Sequence, residues 1–182
     1  MPDDKELARL IRRGDEAAFR RLVQREAPYL YGIARALVGN AADAEDLVQE
    51  TFAGAFKGRY RGESSLRTWL VGILVRQAGM LRRSPWWRRR RPLRDHDATA
   101  DPAGKVESTA GGDASKGVEA RLDLATMLAA LSPEHRAVIV LRELQGMTYE
   151  EMAAALGIPR GTVESRLHRA REELRKRYKG YL

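Results

Sequence analysis

The chain has 182 residues, 43% of them hydrophobic and 32% charged, which is enough apolar material for a core and rules out wholesale disorder. Lysine and arginine number 33 against 25 acidic residues, a formal charge of +8 that suits a polyanion such as nucleic acid or a membrane surface. Cysteine is absent, so disulfide scaffolds, cysteine zinc sites and thiol catalysis are excluded. No apolar run approaches the roughly 20 residues that span a bilayer, and the stretch from Met1 to Glu6 lacks a signal-peptide pattern; a soluble intracellular protein is expected.

Residues 1–83 read as all-helical. Asp15 is a plausible N-cap after Gly14, and Phe19, Leu22, Val23, Leu30, Ile33, Ala34 and Leu37 follow at helical spacing, with a kink expected at Pro28. Gly39-Asn40 breaks the chain. Ala44, Leu47, Val48, Thr51, Phe52 and Ala55 then form a clean amphipathic stripe. The stretch from Gly58 to Ser65 is a loop, and Ser64 or Ser65 can cap a third helix. That helix has the stripe Leu66, Trp69, Leu70, Ile73, Gln77 and Leu81.

Residues 84–119 read as a flexible linker. They begin at Ser84-Pro85, include Pro92 and Pro102, and end in a small, polar stretch with few apolar residues to bury. These 36 residues would average roughly 35 Å end to end as a coil and reach roughly 120 Å when stretched. The expected architecture is therefore all-α, two small helical domains (1–83 and 120–182) on a tether. The three segments carry +4, +1 and +3.

Residues 120–182 are helical again. Leu124, Leu128 and Leu131 mark one helix. Ser132-Pro133 opens the next, with Val138, Leu141 and Leu144 on its inner side and Gly146 at its end. Thr148 and Glu151 fit a capping box, and Gly157 fits the C′ position of that short helix. After Ile158-Pro159 a last helix runs to about Arg177, with Val163, Leu167, Ala170 and Leu174 inward.

A short capped helix, a glycine turn and a longer basic helix make a helix-turn-helix, whose second helix lies in the major groove. Its outer face carries Thr162, Glu164, Ser165, Arg166, His168, Arg169 and Arg171. Arginine can bridge guanine O6 and N7, while Thr and Ser bond phosphates or bases. The alternative is a solvated basic helix in a bundle. On the 44–55 helix, Asp43, Glu45, Asp46, Gln49 and Glu50 lie opposite the apolar stripe. Such a cluster either binds a protein or only complements the helix dipole. The loop from Lys57 to Ser65 mixes cations, an aromatic and glycines, a mixture that suits unpaired bases as well as an ordinary surface loop. Trp86-Trp87-Arg88-Arg89-Arg90-Arg91 suits DNA, anionic lipid or plain solvent. Catalysis finds no support. His96, His135 and His168 fall in no metal-ligand spacing, and no phosphate loop or nucleophile elbow is present. No enzyme activity, metal, cofactor or small-molecule substrate is expected.

Asp43-Ala44-Glu45-Asp46-Leu47-Val48-Gln49-Glu50-Thr51-Phe52 and Tyr60-Arg61-Gly62-Glu63-Ser64-Ser65-Leu66-Arg67-Thr68-Trp69-Leu70 resemble the first conserved domain of bacterial sigma factors of the extracytoplasmic-function group. Leu131-Ser132-Pro133-Glu134-His135-Arg136, Tyr149-Glu150-Glu151-Met152-Ala153 and the stretch from Gly161 to Arg171 resemble their second domain. The resemblance implies a dissociable, cytoplasmic subunit of RNA polymerase that directs promoter recognition. Its first domain would bind core polymerase and open the minus-ten element. Its second would read the minus-thirty-five element as duplex. An anti-sigma protein, often at the inner membrane face, would hold it inactive.

Carried over residue by residue, the resemblance puts Asp46, Gln49 and Glu50 on the core-polymerase face. It gives the melted non-template strand to Arg59, Tyr60, Arg61, Gly62, Glu63, Ser64, Ser65, Arg76 and Met80, with the loop holding a flipped base. It gives the upstream duplex to Arg160, Thr162, Glu164, Ser165, Arg166, His168, Arg169 and Arg171. Three positions depart from the family pattern: Arg76 stands where Asn is frequent, Met80 where a polar residue is frequent, and Glu164 where a basic residue is common. A self-sufficient helix-turn-helix regulator, dimerising or sensing a ligand through residues 1–83, is the competing reading. It would give a two-fold footprint without polymerase.

Overall fold

The computed structural model describes residues 4–58, 60–83 and 124–178, and every regular element among them is helical. Helices α1 to α4 span Asp4–Arg12, Glu16–Val38, Ala41–Lys57 and Leu66–Arg83. Helix α5 covers 124–130. Helices α6, α7 and α8 span Pro133–Ile139, Tyr149–Leu156 and Arg160–Arg177. The expected linker and the Trp86–Arg91 run lie outside the described residues.

Local chemistry sets the helix ends. Asp15 Oδ1 accepts from the Ala18 amide at 2.8 Å and starts α2. Gly39 turns the chain at φ +92°, where a side chain would be strained, and Asn40 then caps α3 through the Asp43 amide at 2.9 Å. Helix α2 runs unbroken through Pro28, so the expected kink does not divide it. Helix α1 is an addition to the sequence reading, and it lies against α2.

Helices α2, α3 and α4 enclose the first core, around Leu22, Leu30, Ile33, Leu47, Leu66, Leu70 and Leu74. Each fully buried leucine contributes about 1.5–3 kcal/mol relative to exposure. A polar seam fixes α3 on α4. The Thr51 hydroxyl lies 2.7 Å from the Leu47 carbonyl and 2.9 Å from Gln77 Oε1, and Gln77 Nε2 donates to the Glu50 carbonyl at 2.9 Å.

Glu26 is 1% exposed and ties three helices together. Arg25 Nε and Arg67 Nε each donate to its carboxylate at 2.8 Å, and Arg25 also reaches Asp4 at 2.6 Å. Arg67 lies over the Tyr29 ring at 4.4 Å. Its hydrogen bond to Glu26 raises the Arg67 pKa above the ordinary guanidinium value. Glu26→Gln is expected to destabilise this bundle by about 1–3 kcal/mol in urea unfolding, because two charge-assisted hydrogen bonds weaken while the shape is kept. An unchanged midpoint would mean that a neutral amide serves as well there.

The second core gathers Leu128, Leu131, Val138, Leu141, Met152, Val163, Leu167 and Ala170. Arg136, 4% exposed, is its polar centre. Its guanidinium donates to the carbonyls of Leu128, Ala129 and Leu131 at 2.5, 2.8 and 3.3 Å, satisfying the end of α5. After Ile139 the helix widens into a π turn, Val140–Leu144, with the Gln145 amide bonded to the Val140 carbonyl. The widened turn rotates Leu144 outward to 41% exposure, whereas the sequence reading placed it inside with Val138 and Leu141. Leu124, the first of the three leucines that mark α5, is 41% exposed at its start.

The two bundles touch. Helix α4 packs on α7, and the Arg136 Nη1 donates to the Leu37 carbonyl in the last turn of α2 at 2.9 Å.

Candidate nucleic-acid interface

Helices α7 and α8 form the turn that the sequence predicts. The Thr148 hydroxyl accepts from the Glu151 amide at 3.2 Å, and the Glu151 carboxylate accepts from the Thr148 amide at 2.8 Å. Gly157 adopts φ +65° and closes α7 by donating to the Ala153 carbonyl at 2.9 Å. Pro159 then starts α8. Val163, Leu167 and Ala170 are buried, so Arg160, Glu164, Ser165, His168 and Arg169 are exposed, with Thr162, Arg166 and Arg171 half-buried beside them.

Two of these arginines already hold carboxylates. Arg160 contacts Glu150 at 2.9 Å and Glu164 at 3.0 Å, and Arg171 contacts Glu143 at 2.6 Å. The hydrogen bond with Glu143 raises the Arg171 pKa. Tyr149 lies between Arg142, at 5.2 Å, and Arg160, at 6.0 Å. Exposed pairs of this kind stabilise by about 0–1 kcal/mol, so phosphate can displace them.

On the first bundle, Asp46, Gln49 and Glu50 stand exposed along α3. Arg76 and Met80 stand exposed on α4, Met80 at 55%. The loop before α4 has a definite brace. The Tyr60 hydroxyl donates to the Ser64 carbonyl, and its ring lies 5.1 Å from that of Trp69, tilted by 52°. Gly62 takes φ +82°, which favours glycine. Ser65 caps α4 through the Thr68 amide at 3.0 Å. Arg61, Gly62, Glu63 and Ser65 are exposed and Ser64 half-buried. Arg59 lies outside the described residues.

Tyr60 is the correction. The expectation is a ring open for base stacking, but the ring is 8% exposed and spent on Trp69. Burial raises its phenol pKa.

Residues 22–88 match the family model for sigma-70 region 2, and residues 121–174 match that for sigma-70 region 4. The chain is 35% identical to RNA polymerase sigma-H factor of Pseudomonas aeruginosa, over 95% of this chain and 92% of that one. It is 33% identical to the ECF RNA polymerase sigma-E factor of Escherichia coli, over 94% and 92%. The chain belongs to the extracytoplasmic-function sigma factors. This sigma factor also resembles two solved structures. One is CnrH in complex with the cytosolic domain of CnrY, at TM-score 0.70 and 28% identity over 98% of this chain and 99% of that one. The other is the sigma factor RpoE of Bartonella quintana with the anti-sigma factor NepR, at 0.64 and 31% over 90% and 98%.

As a sigma factor it binds core RNA polymerase and promoter DNA in transcription initiation. Its structure collects the expected upstream-duplex residues on the outer side of one helix, and the described strand residues, Tyr60 turned inward among them, on one loop and one side of α4. It also reveals two residues that sequence reasoning missed, Glu26 and Arg136. Glu26 falls on the inward stripe of α2, in register with Leu22 and Leu30, a signal that could have found it; Arg136 lies off the Val138 and Leu141 stripe. Among the described residues no group of His, Asp and Glu could hold a metal, and no helix is long and apolar enough to cross a membrane.

Proposed function

We propose that this sigma factor divides its task between two faces, as a specificity subunit without catalytic chemistry of its own. The exposed carboxylates of α3 meet a basic surface of core polymerase. Arg61, Glu63, Ser64, Ser65, Arg76 and Met80 meet the melted strand, with Tyr60 shaping the loop from behind. Helix α8 reads the upstream duplex. The factor acts in the cytoplasm, under an anti-sigma protein of the kind that RpoE of Bartonella quintana carries in its complex. The single observation that carries this reading is the exposed, arginine-bearing outer face of α8 behind the helix-turn, with its buried stripe opposite. Run-off transcription with core polymerase and the DNA upstream of its own gene tests it: promoter-dependent transcript is expected with both proteins and none with either alone. Normal core binding without initiation would refute it.

Arg169 gives a sharper test. It is exposed, one turn after Ser165, and no ion pair holds it among the described residues. Arg169→Ala is expected to weaken binding to the isolated upstream duplex by about 1–3 kcal/mol and to relax preference at one base pair, if it bridges a guanine. Uniform weakening on every sequence would place it on phosphate instead. Opening of a pre-melted template should be unaffected.

A further inference from the structure

Helix α1, the element that spacing did not reveal, ends beside the loop before α4. A Cβ on Gly62 would stand 3.8 Å from Arg12 Nη1, so the guanidinium rests against the loop at its left-handed residue. Burial raises the Tyr60 phenol pKa, and the nearby Arg12 charge works against that rise. The rest of α1 is fastened in the same place. Leu7 and Ala8 are buried, and at its start Asp4 holds Arg25, which holds Glu26, which holds Arg67 in the first turn of α4.

The loop tip brings no net charge of its own, because exposed Arg61 and Glu63 offset each other. Three arginines of α1, α2 and α4 are already neutralised: Arg9 by Glu6 at 2.6 Å, Arg25 by Asp4 at 2.6 Å, and Arg67 by Glu26 at 2.8 Å. Arg12 is exposed and pairs with no carboxylate among the described residues. A basic residue in the last turn of α1 suits the helix dipole. That role does not call for a side chain reaching across to another element.

A base drawn out of the stack swings its backbone with it, and cations that track the phosphates hold a single strand in such a position. A guanidinium suits this task, since it meets a phosphate through paired N–H donors. We propose that Arg12 binds a backbone phosphate of the melted strand at the Gly62 loop, from a helix outside the segment that carries the other strand residues. The proposal rests on the assignment of that loop to the melted strand. Gly62 contributes access: a side chain there would cover the guanidinium that glycine leaves open.

Holoenzyme carrying Arg12→Gln is expected to bind a pre-melted fork of its own promoter roughly tenfold more weakly than holoenzyme with the unmodified chain, as for the loss of one charge-assisted hydrogen bond. Its dependence of log affinity on log salt should be shallower by about 0.7, the value for one phosphate on a single strand. Arg12→Lys keeps the charge and should recover most of both. Affinity of either variant for the isolated upstream duplex should not change. Methylphosphonate, placed at one linkage of the melted strand at a time, should identify a linkage at which Arg12→Gln makes no further difference. Unchanged affinity and salt slope in Arg12→Gln would overturn the proposal. So would a defect that persists at every neutralised linkage, which would mark a general effect of charge. If holoenzyme with the unmodified chain binds the fork no better than closed duplex, the assignment of the loop to the melted strand fails, and the role of Arg12 fails with it.

Discussion

Asp46→Arg together with Glu50→Arg is expected to weaken binding to core polymerase by about 2–5 kcal/mol while leaving the fold intact. The two carboxylates are exposed on α3, one turn apart, and the residues that hold α3 in place, Leu47, Val48, Thr51 and Phe52, are buried on the opposite side. Stability should therefore change by no more than about 0.5 kcal/mol. Affinity should suffer because two attractive charges become repulsive on the surface proposed to meet a basic face of the polymerase. Titration with core polymerase, beside a urea midpoint for the free protein, separates the two effects. Equal affinity would reduce the acidic cluster to a solvated helix face.

Tyr60→Ala is expected to cost about 3–5 kcal/mol of stability, the usual range for deleting a buried aromatic ring. The ring closes the loop before α4 by packing on Trp69, and its hydroxyl pins the Ser64 carbonyl. Tyr60→Phe keeps the ring and loses only that bond, so it should cost about 0.5–1.5 kcal/mol. Promoter opening should follow the same order, near normal for Phe and lost for Ala. If Tyr60→Ala kept its stability but failed to open DNA, the ring would be a stacking surface after all.

Much of the local structure was legible because its signals are chemical and short-range. Asp15, Ser65, Ser132 and Thr148 accept the capping bonds expected of them, and the expected break at Gly39-Asn40 is a left-handed glycine followed by a cap on α3, while Gly157 takes the left-handed conformation at the end of α7. Helix α1 was not, although Leu7, Leu10 and Ile11 stand at i, i+3 and i+4: its nine residues include five charges and only this one short stripe. The π turn escaped for another reason. A helix that changes pitch at Val140 leaves no mark in a pattern read at constant spacing, so Leu144 was placed on the wrong side. At the candidate site, the α3 and α8 faces followed from periodicity. The burial of Tyr60 did not, because a loop aromatic becomes core only when a tryptophan nine positions on, in the next helix, folds back over it. Glu26 shares the inward stripe of α2 with Leu22 and Leu30, but Arg67, which pairs with it, and the carbonyls that hold Arg136 belong to other elements, so the pairing could not be read from spacing.

The carboxylates around α8 bear on how this sigma factor responds to ionic strength. When an arginine with only solvent around it settles on a phosphate, it displaces a condensed cation from the DNA, and affinity gains that mixing entropy. Arg160 and Arg171 start from a different place, already neutralised by Glu150, Glu164 and Glu143. Moving either guanidinium onto the DNA strands an anion beside the polyanion, and that anion recruits a cation from solution. Part of the counterion release is thereby cancelled within the protein. Binding by α8 should fall less steeply with added salt than its number of arginines would suggest, leaving base contacts to decide a larger share of the choice between promoters.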